Sequence, residues 1–250
     1  MVNCIFISVR NSSSRLPNKA ILNICGKPTI QHLIENIKKS KSADKVILCT
    51  SDKSADDVLC QIAADCGIEY FRGSLDDKLV RWMSACEKYN VDFFVNVDGD
   101  DLFFESDLAD IIIEQYKQDP CDFIDGNGLY NDVYGIKASA LRKVCEIKDS
   151  DSTEYIRLYF TETNMFDVRR IKTVPQKYLK KNVRMTLDYK EDLVFFEKVI
   201  DGVSPKKLSL DNIINFLYNN PDIIDINYFL DEKWKINQEK IKHFKIKQND

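Results

Sequence analysis

The sequence contains few of the residues that metal clusters and disulfide frameworks require. Among 250 residues there are only two histidines, His32 and His243, and the eight cysteines include no Cys-x-x-Cys pair. Neither a zinc site nor a disulfide scaffold is therefore predicted. We expect reduced, mostly buried cysteines in a cytoplasmic protein. The lack of a charged and then apolar leader before the first predicted strand agrees with this expectation.

A large excess of one charge and long apolar runs are also missing. The 36 basic and 40 acidic residues give a formal net charge of −4, so no overall electrostatic attraction to nucleic acid or to an anionic membrane is expected. No apolar run approaches the roughly 18 to 20 residues of a membrane-spanning helix. We expect a soluble protein that binds neither nucleic acid nor membrane, in which local basic loops bind any anion.

Short apolar segments rich in Val, Ile and Phe alternate with amphipathic stretches. This alternation is typical of an α/β protein with a Rossmann-like three-layer sandwich, in which helices cover both faces of a mostly parallel sheet. The strands are predicted at residues 4–9, 45–49, 68–71, 91–97, 121–124, 133–136, 166–174 and 183–187. Helices are predicted to begin at Pro28, Ser54, Ser74 and Ser106, around Thr153, and from Ser209 onward.

A cationic loop rich in serine follows the first predicted strand. It comprises Arg10-Asn11-Ser12-Ser13-Ser14-Arg15-Leu16-Pro17-Asn18-Lys19. Its hydroxyls and successive backbone N–H groups can bind phosphate oxygens beside three positive charges. The alternative is a solvated surface turn, because Ser, Asn and Pro are common in loops.

Aspartates follow two other predicted strands. The first group is Asp98-Gly99-Asp100-Asp101, and the second is the single residue Asp188. Carboxylate oxygens suit magnesium, which usually keeps waters and substrate phosphates as its other ligands. Because strands of an open α/β sheet bind ligands at their carboxyl ends, a magnesium-nucleotide site is predicted there. The alternatives are a tight turn for the first group and a helix cap for Asp188, which has capping-box spacing to Glu191.

Five short motifs occur in an order that resembles the cytidylyltransferases that act on sugar acids. They are Arg10-x-x-Ser13-Ser14-Arg15-Leu16-Pro17-x-Lys19, Gly26-Lys27-Pro28, Thr50-Ser51-Asp52, Arg72-Gly73-Ser74 and Gly99-Asp100. The likeness extends to about residue 200 and is greatest to the spore-coat polysaccharide branch, followed by the 3-deoxy-manno-octulosonate and acylneuraminate enzymes. This branch usually carries glycine where Ser12 and Asn18 stand here, and asparagine can adopt left-handed geometry.

The resemblance implies a Rossmann-like enzyme, usually a homodimer, that joins CTP to a small sugar acid and releases pyrophosphate with Mg²⁺. It implies that Arg15 and Lys19 stabilise the leaving pyrophosphate and that Asp100 and Asp188 hold the metal. The predicted catalytic residues are Arg15, Lys19 and Asp100. The predicted nucleotide-binding residues are Arg10, Ser12, Ser13, Ser14, Arg15, Lys19, Ser51, Arg72, Gly73, Ser74 and Asp98. For Ser74 a plain helix cap is the alternative, and His32 is expected to be structural.

On this interpretation residues 1–205 form the nucleotidyltransferase domain, with a nucleotide half at about 1–120 and an acceptor half at about 121–205. Residues 206–250 form a helical C-terminal extension, which is either a dimer surface or a docked terminal helix. The implied role is cell-surface polysaccharide or glycoconjugate biosynthesis.

Three other functions stay open at this point. The Asp98-Gly99-Asp100 sequence also matches the D-x-D of nucleotide-sugar-dependent glycosyltransferases, which share the sandwich and hold a metal against a diphosphate. Cytidylyl transfer to a phosphate or phosphonate is a closer variant, and a non-catalytic nucleotide-binding or assembly protein is the third. The sequence does not identify the acceptor.

Overall fold

A seven-stranded sheet forms the centre of the computed structural model, which describes residues 1–151, 156–179, 182–204, 207–240 and 245–247. The strands are β1 (Asn3–Ser8), β4 (Lys45–Ser51), β5 (Glu69–Gly73), β6 (Phe93–Asp98), β7 (Phe123–Asp125), β8 (Tyr134–Lys137) and β9 (Val168–Arg170), in the order β5-β4-β1-β6-β8-β7-β9. A separate short hairpin pairs β2 (Asn23–Ile24) with β3 (Lys27–Pro28).

The sheet is mostly parallel, as predicted. β1 pairs in parallel with β4 and β6, and β4 pairs in parallel with β5. β8 runs antiparallel to both β6 and β7, while β7 is parallel to β9. Parallel strands place their carboxyl ends at one edge, so the loops that follow β1, β4, β5 and β6 meet there.

Helices cover both faces of the sheet, which confirms the three layers. One face carries α1 (Thr29–Ile37), α2 (Asp57–Asp65), α4 (Ser106–Gln118), α7 (Lys190–Val203) and α8 (Leu210–Asn219), and the other carries α3 (Lys78–Tyr89), α5 (Ala138–Ile147) and α6 (Arg157–Thr161). Along β1, Ile5 and Ile7 enter the first core and Cys4 and Phe6 the second. This alternation is what a strand buried on both faces requires.

The segment from Val183 to Leu187 corrects one prediction, because it is not a strand. It runs past the ends of the sheet strands, where the Leu187 N–H donates to the Asp100 carbonyl at 3.0 Å. Among the described residues it pairs with no strand of the sheet, although Arg184 and Met185 are both buried. The segment therefore forms part of the rim and not part of the sheet.

Two predicted helix starts also differ from the structure. Ser54 begins a short 3₁₀ turn, Ser54–Asp56, and does not cap α2. The reason is that Asp56 turns inward, where its carboxylate accepts hydrogen bonds from Ser51 and Asn11. Likewise Asp77, and not Ser74, caps α3 by accepting from the Val80 N–H at 3.1 Å.

Other local predictions are confirmed. α1 begins directly after Pro28, as predicted. All eight cysteines are free, and most of them are buried. The predicted helix around Thr153 corresponds to α6, although Thr153 itself lies outside the described residues. Within the described part of the chain, no helix has the length and apolar character needed to cross a membrane.

The described part of the C-terminal extension contains helices. After α8 come α9 (Pro221–Asp225) and α10 (Leu230–Lys240). Residues 245–247 then run beside residues 147–149, where the Lys247 N–H donates to the Ile147 carbonyl at 2.8 Å. Ile241, His243 and Phe244, near the end of this extension, lie outside the described residues.

Candidate active site

A cleft of about 560 Å³ opens at the carboxyl ends of β1 and β6. The loop after β1, the loop after β6 and the segment 183–188 form much of its wall. The predicted site residues that line it are Arg10, Ser12, Ser13, Ser14, Arg15, Lys19, Asp98, Asp100 and Asp188. Residues separated by up to 178 positions in the chain thus meet in one cleft, although their individual roles stay predictions.

Four predicted nucleotide-binding residues do not line this cleft: Ser51, Arg72, Gly73 and Ser74. The Ser51 hydroxyl donates to the Asp56 carboxylate, and Arg72 pairs with Asp57 at 2.5 Å. These contacts tie together the ends of β4 and β5 and the start of α2. The predicted contact of the four residues with cytosine and ribose gains no support from this geometry.

The centre of the cleft is a chain of ion pairs. The Lys19 Nζ lies 2.6 Å from Asp100 Oδ2 and 2.9 Å from Asp188 Oδ1, and the Arg15 Nη2 lies 2.6 Å from the same Asp188 oxygen. Burial raises the pKa of Asp100 even with Lys19 beside it. Burial would also raise the pKa of Asp188, but Lys19 and Arg15 outweigh it and lower that pKa to about 2. Asp188 is therefore ionised at neutral pH.

Backbone geometry explains how Lys19 and Asp100 come together. Asn18 adopts a left-handed φ of 58° directly before Lys19, which lines the cleft. This is a conformation that glycine adopts without strain and that asparagine tolerates. On the other loop the Gly99 N–H donates to the Ser8 carbonyl at 2.8 Å. A Cβ on Gly99 would lie 2.6 Å from the Val9 Cβ, so only glycine permits this approach of the two loops.

The structure separates the two roles considered for Asp188. Its carboxylate faces the cations, whereas Asp192 accepts the backbone N–H groups of Asp188 at 2.8 Å and of Tyr189 at 2.9 Å. The cap of α7 is therefore Tyr189, with Asp192 at the third position, so the predicted box of Asp188 and Glu191 is shifted by one residue. Asp192 is fully buried and was not predicted.

Several basic residues of the cleft were not predicted either. Lys78 and Arg81 enter from α3, Arg157 from α6 and Arg184 from the rim segment. Lys78 lies 2.5 Å from Asp98, so the predicted nucleotide-binding Asp98 already has a cationic partner. These positively charged residues come from distant parts of the chain and belong to no local motif, so nothing in the sequence pointed to them.

Two arginines share one buried carboxylate beside the cleft. Asp125 is buried and accepts from Arg157, with Nη2 at 2.8 Å and Nε at 3.1 Å, and from Arg170 at 3.2 Å. Arg157 lines the main cleft, while Arg170 lines a smaller pocket beside it. The single carboxylate of Asp125 thus lies between two guanidinium groups, one at each pocket.

The carboxylates fit magnesium better than zinc. Among the described residues there is no group of three or more His, Cys, Asp or Glu side chains arranged around a metal position. Magnesium needs only one or two protein carboxylates when waters and phosphates supply its other ligands. Asp100 and Asp188, which meet at one ammonium group, fit that requirement, and a divalent cation would also favour the ionised form of Asp100. Magnesium stays a prediction.

Histidine does not contribute to the described cleft. His32 is buried, and its Nε2 lies 2.9 Å from the Ile24 carbonyl oxygen. Burial lowers the pKa of His32, which favours the neutral ring. The structural interpretation of His32 is therefore correct, while His243 lies outside the described residues.

Known proteins that resemble this chain agree with the nucleotide site that the cleft geometry indicates. A sequence profile of the family described as cytidylyltransferase matches residues 4–207. A spore coat polysaccharide biosynthesis protein of Bacillus subtilis is 24% identical over 86% of this chain and 94% of its own length. A 3-deoxy-manno-octulosonate cytidylyltransferase of Aeromonas salmonicida is 34% identical over 39% of each chain.

A solved structure agrees over almost the whole fold. The structure of a cytidylyltransferase from Leptospira borgpetersenii has a TM-score of 0.79 and 25% sequence identity, and the match covers 90% of this chain and 97% of that one. The family profile extends over more than half of the chain and includes every residue of the central ion-pair chain. The chain therefore belongs to the cytidylyltransferase family and is a nucleotidyltransferase with the α/β fold of that family.

Proposed function

We propose that the protein transfers CMP from CTP to a sugar acid, with release of pyrophosphate, for cell-surface polysaccharide or glycoconjugate biosynthesis in the cytoplasm. The observation that carries this proposal is the convergence of Arg15 and Lys19 with Asp100 and Asp188 in one cleft. The names of the Bacillus and Aeromonas relatives agree with this role.

The ion pairs match the charges of a magnesium triphosphate. CTP brings about three to four negative charges, and attack at the α-phosphorus moves further charge onto the leaving oxygens, so catalysis is mainly electrostatic stabilisation. Arg15 and Lys19 would exchange their carboxylate partners for phosphate oxygens. Asp100 and Asp188 would hold Mg²⁺, which, when bound, supplies charge neutralisation and lowers the pKa of an acceptor hydroxyl.

The serine-rich loop would hold the triphosphate in line. The Ser13 N–H donates to the Asn11 carbonyl at 2.9 Å, and the Leu16 N–H donates to the Ser13 hydroxyl at 3.3 Å. These local hydrogen bonds hold the loop in a tight turn. The three serines on this turn line the cleft. Holding the α-phosphate and the acceptor in one geometry removes much of the entropic part of the barrier.

Arg157 supports an acidic acceptor. Its guanidinium is fixed by Asp125 and also lines the cleft. A planar guanidinium matches a carboxylate with two parallel hydrogen bonds, which makes arginine suited to a sugar acid. A phosphate or phosphonate acceptor would use the same group, so the acceptor must be identified by experiment.

Pyrophosphate release with CTP, Mg²⁺ and a panel of sugar acids, phosphosugars and phosphonates tests the proposal. We expect turnover with a sugar acid, and we expect Arg157→Met to raise the KM for that acid by about 10-fold or more while the KM for CTP changes little. Arg170→Met is the matched control, because Arg170 pairs with the same Asp125 but faces the smaller pocket. Turnover only with a phosphate or phosphonate would refute the sugar acid, and equal effects of the two variants would refute the role of Arg157.

Nothing in the described structure or in the comparisons favours the glycosyltransferase interpretation of Asp98-Gly99-Asp100. Glycosyl transfer from a nucleotide diphosphate-sugar releases no pyrophosphate. Arg15 and Lys19 would then have no leaving pyrophosphate to stabilise. Hydrolysis of sugar nucleotides without pyrophosphate release from CTP would reverse this preference. The proposed homodimer is tested separately by the mass of the protein in solution.

A further inference from the structure

α10 lies beyond the part of the chain that the family profile matches, yet two of its side chains line the active-site cleft. The profile ends at residue 207, whereas Asp231 and Trp234 line the cleft that contains Lys19 and Asp100. Leu230, at the start of the helix, is buried and holds α10 against the domain. The C-terminal extension therefore forms part of the wall of the active site.

Trp234 contacts a buried cation next to the catalytic charges. The Arg184 Nε lies 2.9 Å from Asp192 Oδ1, and its Nη2 lies 3.3 Å from Asp188 Oδ2. Within the described part of the chain, the buried Nη1 of Arg184 has no hydrogen-bond partner. The Arg184 Cζ lies 5.9 Å from the Trp234 ring centre and 5.5 Å from that of Tyr189, so aromatic faces stabilise this guanidinium besides the carboxylates.

A second side chain of the extension contacts the same cluster. Asn227 is fully buried, and its Nδ2 donates to the Arg184 carbonyl at 3.1 Å and to Asp192 Oδ1 at 2.9 Å. The extension thus fixes Arg184 at both ends, through its backbone and through its guanidinium. Contact at both ends restricts the directions in which the Arg184 side chain can point.

We propose that Trp234 is a positioning residue for nucleotidyl transfer, which acts through Arg184 on Asp188. Arg184 binds the Oδ2 of Asp188, while the Oδ1 faces Arg15 and Lys19. Holding one oxygen sets the orientation of the whole carboxylate, in the same way as outer hydrogen bonds orient the ligands of a metal. This inference rests on the proposed function, because Asp188 matters to the reaction only if it faces the metal and the triphosphate.

Two substitutions at Trp234 separate the aromatic contact from simple filling of space. Trp234→Phe keeps a ring over Arg184, whereas Trp234→Leu fills the position without one. Ile236→Ala is the control, because Ile236 is on the same helix and 56% exposed. The measurements are kcat and KM for pyrophosphate release, the Kd of CTP with Mg²⁺ by calorimetry without acceptor, and the thermal midpoint.

We expect Trp234→Leu to lower kcat and weaken CTP binding, each by about 10-fold, with a thermal midpoint close to that of the parent protein. Trp234→Phe should keep most of both, and Ile236→Ala should change neither. If Trp234→Leu does not fold, Trp234→Met replaces it, since methionine also fills the volume without a ring.

Different outcomes refute the two proposals. If Leu and Phe at position 234 give the same kcat and the same Kd for CTP as tryptophan, the role of Trp234 is refuted while the proposed function stands. If the parent protein binds CTP but releases no pyrophosphate with any acceptor, the proposed function fails, and the Kd values of the Leu and Phe variants still decide the role of Trp234. If the parent protein does not bind CTP, both proposals fail.

Discussion

Lys19→Met tests the central ion-pair chain most directly. Methionine keeps most of the length and apolar area of the side chain but removes the charge that contacts Asp100 at 2.6 Å and Asp188 at 2.9 Å. Loss of one preorganised donor to a developing negative charge costs about 100-fold to 1000-fold in kcat, or about 2.7 to 4 kcal/mol of transition-state stabilisation. We therefore expect pyrophosphate release to fall by at least about 100-fold.

The same change should affect stability much less than the breaking of an isolated buried pair. Such a break costs about 3 to 5 kcal/mol because it leaves one charge without a partner. Here Asp188 keeps Arg15 at 2.6 Å and Arg184 at 3.3 Å. Asp100, whose pKa burial already raises, can take up a proton. We expect a loss of about 1.5 to 3 kcal/mol at pH 8, which is the range for hydrogen bonds to charged groups.

The sign of the pH dependence follows from the two pKa shifts. The pKa of Lys19 is raised in the folded state, because its two carboxylate partners outweigh burial, so its stabilising effect is complete below the unfolded pKa and is lost only in strong alkali. In Lys19→Met the remaining cost is the ionised Asp100, and this cost disappears as falling pH protonates it. The stability difference between the variant and the parent protein should therefore shrink from pH 8 to pH 5.

Urea unfolding at both pH values and pyrophosphate release measure these effects. Lys27→Met is the matched control, because Lys27 lies 2.7 Å from Glu35 in an exposed ion pair, which contributes about 0 to 1 kcal/mol. A loss of folding that accounts for the whole loss of activity would refute the assignment of Lys19. A stability difference that grows toward pH 5 would refute the account of Asp100.

Two further substitutions test the loop after β6. Asp100→Asn should lower pyrophosphate release by at least about 100-fold. The thermal midpoint at pH 7 should stay equal or rise, because the raised pKa of Asp100 means that its ionised form is unfavourable in the fold. A clear fall in the midpoint at pH 7 would contradict this. Gly99→Ala should destabilise the protein by about 1 to 3 kcal/mol in urea unfolding, since the new methyl group would overlap Val9. It should also lower kcat, because the two loops would separate. Parent-like stability and activity would refute the close approach of the loops.

Most strands of the sheet, and the charged residues that meet in the cleft, could be identified from the sequence. Buried strands read as continuous apolar runs, and each is followed by polar residues, so the rim of the sheet is visible in the chain itself. Phosphate binding uses consecutive backbone and hydroxyl donors, so Ser12, Ser13 and Ser14 could be predicted as a phosphate-binding motif from their order in the chain alone. Local chemistry of this kind can be recognised without a structure.

The predictions failed where tertiary contacts override local pattern. The segment 183–187 has the composition of a strand. However, Arg184 pairs with Asp188 and Asp192, and the segment lies across the rim of the sheet. The nucleotide-binding role of Arg72 stays a prediction, but its guanidinium pairs with Asp57 at the start of α2, outside the cleft. In both cases a buried or partly buried arginine forms an ion pair with a nearby carboxylate. The sequence does not show which carboxylate that is.

The same reasoning explains why the contribution of α10 could not be predicted. Arg184 and Trp234 are fifty residues apart and share no motif. Their contact exists because the buried guanidinium, which faces Asp188 and Asp192, leaves one donor edge without a hydrogen bond in the described structure. An aromatic ring can cover such a group without adding another charge, whereas a third carboxylate would compete with Asp188 for Arg184. The aromatic residue therefore serves the carboxylate cluster better than an acid would, and it does so from a part of the chain that the family profile does not include.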